Sequence, residues 1–419
     1  MELKPLSGFT NSIAGNWNKS YKSQLDSCNP CVINTQNTKD FSVTEIVKKN
    51  ISSRIKRIIN LCFKIKLMKI KHLLLQNYKK FVQPLNISFC NSENEINEKT
   101  LLLGNNGSGK STVLQAIVSL IACQVRDSFK LDNIEWPGYE FRHLQTGKLP
   151  LKAEAKIVLS QTEIEATKSY AEQLKKMGVG LEIPTMNREI KLSLDYQNHK
   201  VKASGGYYQL SGYQYAKRLT AMTANKNKLF ENVGNIYWYN EQRNSYNLSN
   251  LLESELPQID FVRSFLSSAY NYHLAVVRGD RQIKEGEFDF YEKLHSLYKS
   301  IFTGHSFVGS SPRFDLYEQN AVPDFYLYDG RNQYELSGMS AGERAIFPIL
   351  MDFARWNINN SIIIIDEVEL HLHPPLQQTF VKALTKLGHD NQFIITTHSN
   401  SIASMFDESE NEIIRLGNE

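Results

Sequence analysis

The run Gly104-Asn105-Asn106-Gly107-Ser108-Gly109-Lys110-Ser111 constrains this 419-residue chain more than any other feature. It matches G-x-x-x-x-G-K-[ST], follows the apolar Leu101–Leu103 and precedes Thr112–Ile121, which reads as a helix. The chain must therefore run from a buried strand through a glycine turn into a helix N-terminus. Such a turn lets successive backbone N–H groups curl around phosphate oxygens, and the helix dipole adds positive potential there. Gly104 to Ser111, with Thr112 behind them, form the expected nucleotide-binding set. Lys110 is expected to reach the β- and γ-phosphates of ATP, and Ser111 to ligate Mg²⁺.

A second segment completes that chemistry. Ser361-Ile-Ile-Ile-Ile-Asp366-Glu367 is an apolar run bounded by polar residues, the pattern of a buried strand in a parallel sheet. Two carboxylates at its C-terminal end lie where open α/β sheets bind ligands. Asp366 is expected to hold Mg²⁺ through its water shell, and Glu367 to polarise an attacking water as general base. Another buried strand, Phe393-Ile-Ile-Thr396-Thr397, ends in His398, and Ile236–Tyr239 ends in the polar Asn240-Glu241-Gln242-Arg243.

Leu336-Ser-Gly-Met-Ser340-Ala-Gly342-Glu343-Arg344 lies just before a helix that leads to the Asp-Glu strand. Taken alone, Ser340 would serve as an ordinary helix N-cap. With this segment the sequence resembles the ABC ATPase superfamily, whose signature loop runs Ser-x-Gly-Gly/Glu-Gln/Arg. The resemblance implies that Ser340 and Gly342 cap the ATP held by the opposite protomer, with Glu343 shaping the loop. It therefore implies a head-to-head homodimer around two ATP molecules. It also implies a switch role for His398 at the γ-phosphate, and makes Gln242 the candidate Q-loop contact to nucleotide and Mg²⁺.

Lys110 and Ser340 are 230 residues apart, more than transporter domains use and far less than the long coiled coils of SMC-type proteins. The arrangement resembles the compact RecF/OLD-type branch, often described as AAA family ATPases. Asn77-Tyr-Lys-Lys-Phe81 is similar to its Asn-Phe-x-x-Phe opening, and Asp366-Glu-Val-Glu-Leu-His-Leu-His373-Pro374 to its Asp-Glu-x-Glu-x-His-Leu-His-Pro motif. His373 stands where ABC transporters carry the D-loop aspartate. About twenty residues follow His398, so no fused nuclease is expected. That form resembles the PtuA-type ATPases of the Septu anti-phage system and those encoded beside retrons, whose cutting is done by a separate HNH-type chain. The implied function is the ATP-hydrolysing regulatory subunit of a phage-defence complex. The alternative is a RecF-like DNA-maintenance ATPase that binds DNA directly.

The expected fold is α/β: a P-loop NTPase head of ABC type, split into lobes at 68–124 and 331–419 by a mixed α+β insertion at 125–330. The insertion is expected to offer a partner or DNA surface. Residues 1–40 are polar and without periodicity, and read as disordered. Residues 41–67 read as a basic amphipathic helix opened by the capping-box spacing Ser42–Glu45. Residues 1–67 hold 11 Lys and Arg against 4 Asp and Glu, whereas the remainder holds 37 against 40. The basic character thus belongs to the N-terminal segment, an accessory piece or an upstream extension, and the body carries no global polyanion signal. Five cysteines fit reduced thiols, with Cys28 and Cys31 lacking a second ligand pair for zinc. No stretch of about 18 apolar residues is present, and no secretory signal opens the chain, so a cytoplasmic location without membrane contact is expected.

Overall fold

The structure is a computed structural model that describes residues 68–122, 134, 136–145, 149–197, 200–223, 228–243, 245–247, 259–284, 287–311 and 322–417. The expectations for 1–40 and 41–67, Cys28 and Cys31 included, lie outside the described residues. In chain order the elements begin with β1 (Lys69–Gln76), β2 (Leu85–Ser88), β3 (Lys99–Leu103), α1 (Lys110–Ala122), β4 (Leu151–Val158) and α2 (Gln161–Lys176). Next come β5 (Glu189–Gln197), β6 (Lys200–Gly205), α3 (Gly212–Met222), β7 (Ile236–Tyr239), β8 (Ser245–Asn247), α4 (Ile259–Val277) and α5 (Phe290–Ile301). The chain continues through β9 (Ser306–Ser311), β10 (Asp324–Tyr328), β11 (Gln333–Glu335), α6 (Ala341–Trp356) and β12 (Ile362–Ile365). It closes with α7 (Pro374–Leu384), β13 (Gln392–Thr397), α8 (Asn400–Ala403) and β14 (Ile413–Arg415).

The central sheet has the order β14-β3-β13-β12-β7-β8, parallel except for β8. Its inner strands are continuous apolar runs because both faces are covered. Ile362 and Ile364 of β12 face one core with α1, whereas Ile363 and Ile365 face a second core with α5, α6 and α7. This alternation is the period-2 pleat of a strand. β13 pairs with β3 on one side and β12 on the other, so the phosphate-loop strand and the Asp-Glu strand end at the same edge.

A second, antiparallel sheet runs β2-β1-β4-β5-β6. Along β4, Leu151, Ala153, Ala155 and Ile157 point inward and share the first core with Val113, Leu114 and Ile117 of α1. α1 is thus buried between two sheets, which explains why its sequence is apolar nearly all round. Gln392 of β13 joins the layers: its amide nitrogen donates to Ile70 O at 2.9 Å, and its oxygen accepts the Ile70 N–H at 2.7 Å.

Residues 125–330, read above as an insertion between lobes, supply strands to both sheets. β4, β5 and β6 extend the sheet begun by β1 and β2, and β7 pairs with β12 in the centre of the other. The reason is visible in β7: Ile-Tyr-Trp-Tyr is buried at every position and needs cover on both faces. The small sheet β11-β10-β9 leads directly into α6. Among the described residues no helix is long and apolar enough to cross a membrane.

Candidate nucleotide site

α1 begins at Lys110, so the backbone of Gly104–Gly109 wraps its N-terminus. Gly109 has φ +100°, and a Cβ there would lie 2.5 Å from the Phe81 ring, so only glycine fits. Gly107 has φ +73° with open space beside it, and Lys80 Nζ donates to its carbonyl. Lys110 is buried; its Nζ donates to Gly104 O at 2.7 Å and Asn105 O at 3.2 Å, and lies 3.4 Å from His398 Nδ1. Burial pulls the ammonium below its ordinary pKa, opposed by the nearby Glu367, Asp366 and Glu369 carboxylates. Ser108 Oγ is buried and has no hydrogen-bond partner among the described residues.

Asp366 is fully buried at the end of β12. Its Oδ1 accepts the hydroxyls of Ser111 at 3.1 Å and Thr396 at 2.6 Å, and its Oδ2 accepts the Trp136 indole N–H at 3.2 Å. Thr396 Oγ1 in turn accepts the Glu367 N–H at 2.7 Å, which holds Glu367 at φ +47°. Glu367 Oε1 is 3.7 Å from His398 Nε2, and both side chains are about a third exposed. The His398 N–H donates to Glu369 Oε1.

Lys110, Ser111, Asp366, Glu367 and His398, all singled out in the sequence, therefore meet at one edge of the sheet. Ser111 Oγ and Asp366 Oδ1 are hard oxygen donors of the kind Mg²⁺ takes together with water and phosphate oxygens. Among the described residues no group of three or more His, Cys, Asp or Glu is placed to hold a metal by itself. A cation here would draw on a bound phosphate chain, which fits the adjoining glycine loop.

The turn after β7 places two neighbouring polar residues differently. Gln242 is exposed, with its backbone N–H on Asn240 Oδ1 at 3.0 Å. Its neighbour Arg243 is the buried residue, at φ +61°, and its guanidinium donates to Asp366 O at 2.7 Å and Glu367 O at 2.6 Å. Burial lowers the Arg243 pKa to about 10, with Glu369, Asp366 and Glu367 opposing, so the fork remains charged. Arg243 was not singled out in the sequence, although a lone cation in the polar turn just after a fully buried strand was a signal. Trp136 and Thr396 were also missed, and neither announces its partner in the sequence.

The loop before α6 is built separately. Ser340 caps α6, with its Oγ accepting the Glu343 N–H at 3.2 Å and Glu343 Oε2 accepting the Ser340 N–H at 2.8 Å, a capping box. Glu343 is buried; its Oε1 accepts the hydroxyls of Tyr298 and Tyr334 and lies 3.3 Å from His305 Nδ1. Burial pushes this carboxyl up, but the tyrosine and Ser340 donors outweigh it and hold the pKa below the ordinary value. Gly342 is packed against Leu376 and His371 O, where a Cβ would approach to 3.1 Å and 3.4 Å. Ser340 itself is exposed, and among the described residues no hydrogen bond joins Ser340–Arg344 to Gly104–Ser111.

A family model described as an AAA ATPase domain matches residues 68–303, more than half of the chain. The chain belongs to the AAA ATPase domain family. A second model, for an AAA domain whose description also names the AbiEii toxin and a type IV TA system, matches residues 242–404. Between them the two matches span this AAA ATPase from β1 to α8, the glycine loop and both carboxylates included. It is 25% identical over 405 residues to "Retron Vc95 probable ATPase" of Vibrio cholerae serotype O1 biovar El Tor, covering 86% of this chain and 74% of that protein. Over 144 residues it is 32% identical to "Retron Ec83 probable ATPase" of Escherichia coli, covering 30% and 26%. Among solved structures it resembles an SMC head bound to the C-winged helix domain of ScpA, with TM-score 0.44 and 15% identity over 83% of this chain and 93% of that one. With the AAA ATPase domain match lying over its own glycine loop and parallel sheet, the chain has an α/β P-loop NTPase fold, and its activity is hydrolysis of ATP.

Proposed function

We propose that this AAA ATPase works as a homodimer that closes on two ATP molecules and opens when they are hydrolysed, and that it gates a separate nuclease in a phage-defence complex of the cytoplasm. Gly104–Thr112 cradle the triphosphate, with Lys110 on its β- and γ-phosphates and Gln242 approaching from the turn after β7. Ser111 and Asp366 would hold Mg²⁺, which would supply charge neutralisation at the phosphate oxygens. Glu367 polarises the attacking water and His398 reads the γ-phosphate. Ser340 and Gly342 of the other copy close the site, with Glu343 shaping their loop.

The observation that carries this reading is the contrast between Ser111, bonded to Asp366 at 3.1 Å, and Ser340, exposed at the start of a rigidly braced helix. The capping box satisfies the Ser340 and Glu343 N–H groups, and the exposed Ser340 hydroxyl with the first-turn N–H groups beside it is the part left to face an anion. The retron ATPase relatives, and the resemblance to the PtuA-type proteins, support a defence role with the cutting activity on another chain. The test is Glu367→Gln. The variant should keep ATP binding, accumulate as an ATP-bound dimer in size-exclusion chromatography, and lose hydrolysis by roughly 10²–10⁴-fold. Unchanged hydrolysis, or a strict monomer with ATP bound, would remove the mechanism. Salt-sensitive, ATP-dependent DNA binding by the isolated chain would move the output from a nuclease partner to DNA itself.

A further inference from the structure

We propose that Trp136 is a positioning residue for the Asp366 carboxylate and thereby sets how tightly the nucleotide site takes a divalent cation; the inference rests on the nucleotide-site reading above. A carboxylate rotates readily about its last bond, which is broad and two-fold. Asp366 Oδ1 is oriented by Ser111 and Thr396, but those two bonds to one oxygen leave the plane of the group free to swing. The indole N–H of Trp136, a donor with no acceptor capacity, fastens Oδ2 at 3.2 Å in a fully buried setting.

The segment that carries Trp136 is itself anchored to the phosphate-loop helix. Ser111, Gln115 and Ser119 recur every fourth residue on α1, a polar stripe on an otherwise apolar buried helix. Each member is used toward Asp366 or this segment. Ser111 donates to Asp366, Gln115 Nε2 donates to Pro137 O at 3.2 Å, and Ser119 Oγ, donating its proton to Gln115 O at 2.7 Å, lies in hydrogen-bond contact with Tyr139 Oη at 3.0 Å. Lys79 Nζ donates to Gly138 O at 2.6 Å and Gln115 Oε1 at 2.7 Å, while the adjoining Lys80 reaches Gly107 O. Trp136 is therefore held by the same turn and helix that shape the phosphate loop, so the carboxylate and loop are kept in one frame. An outer hydrogen bond that fixes a ligating carboxylate commonly changes metal affinity by about 10- to 100-fold.

The experiment is calorimetric titration of the full chain with ADP, with and without Mg²⁺. Trp136→Phe keeps an aromatic ring in the core and removes the donor together with part of the indole's volume. It should leave metal-free ADP affinity as in the wild type and reduce the Mg²⁺-dependent gain by about tenfold. Gln115→Leu, which deprives Pro137 of its donor but leaves the indole in place, should give the same selective loss in smaller degree and serves if Trp136→Phe does not fold. Equal loss of affinity with and without Mg²⁺, or no change in either, would overturn the positioning role. Absence of ADP binding by the wild type would instead overturn the nucleotide-site reading.

Discussion

At the ends of β3, β12 and β13, side chains far apart in sequence bond to one another: Ser111 to Asp366, Asp366 to Thr396, and Arg243 to the carbonyls of Asp366 and Glu367. In the loop before α6 the bonding runs the other way. Glu343 is gripped from behind by Tyr298 and Tyr334, and Ser340 spends its hydroxyl on its own helix. The same kind of feature, a helix N-terminus with glycine and serine, is thus enclosed by its own chain in one place and presented outward in the other. The first region is organised by mutual contact, the second by a scaffold. A half-site that meets a ligand from another molecule can be stiffened only from its inner side.

That contrast can be broken most severely by mixing chains. Lys110→Ala and Ser340→Arg should each abolish ATP hydrolysis, and an equal mixture should recover about a quarter of wild-type turnover, since half the dimers then carry one intact composite site. No recovery in the mixture would mean that the outward loop does not serve another copy.

Arg243 tests the enclosed region. Arg243→Met leaves two carbonyls without their donors and should cost about 2–4 kcal/mol in denaturant unfolding, together with most of the hydrolysis. A change below about 0.5 kcal/mol would show that Asp366 and Glu367 are held by other means. Ser340→Ala probes the scaffolded region and should cost only about 1 kcal/mol of stability, the usual worth of an N-cap, with unchanged folding cooperativity. A loss as large as that for Arg243→Met would mean that both regions are enclosed clusters.

A pH-dependent effect belongs to Glu163, remote from both regions, whose Oε1 accepts the Gly234 N–H at 3.1 Å. Burial pushes its carboxyl pKa from the ordinary 4.5 up to about 8. The stability it contributes is therefore full below pH 4.5 and is lost as pH rises through about 8. Glu163→Gln should melt close to the wild type at pH 5, and should lose less of its Tm than the wild type between pH 5 and pH 8. Parallel Tm profiles for the two proteins would assign alkaline destabilisation to another group.

Much of the sheet and one half of the site could be read along the chain. Local pattern carries them: an unbroken Ile362–Ile365 run has few options other than a central strand, and a glycine loop between strand and helix has one familiar geometry. The range 125–330 was harder, because strands that pair across more than 100 residues leave no mark of their partner. β7 reads as a strand in the sequence, but its pairing with β12 is known only from the structure. Gln242 and Arg243 show the same limit at one residue's resolution. Both are polar residues after a strand, and only the backbone turn at φ +61° sends Arg243 inward.

The amino-acid order by itself determined the phosphate loop, the carboxylate pair, the histidine-ended strand and the helix N-cap at Ser340, since each depends on neighbours within a few residues. The tertiary structure decided which polar groups complete them. Arg243, Trp136, Thr396 and the two tyrosines on Glu343 act through hydrogen bonds spanning 9 to 230 residues. A buried polar atom must find a partner wherever packing brings one, and that partner is set by three-dimensional proximity rather than by position along the chain.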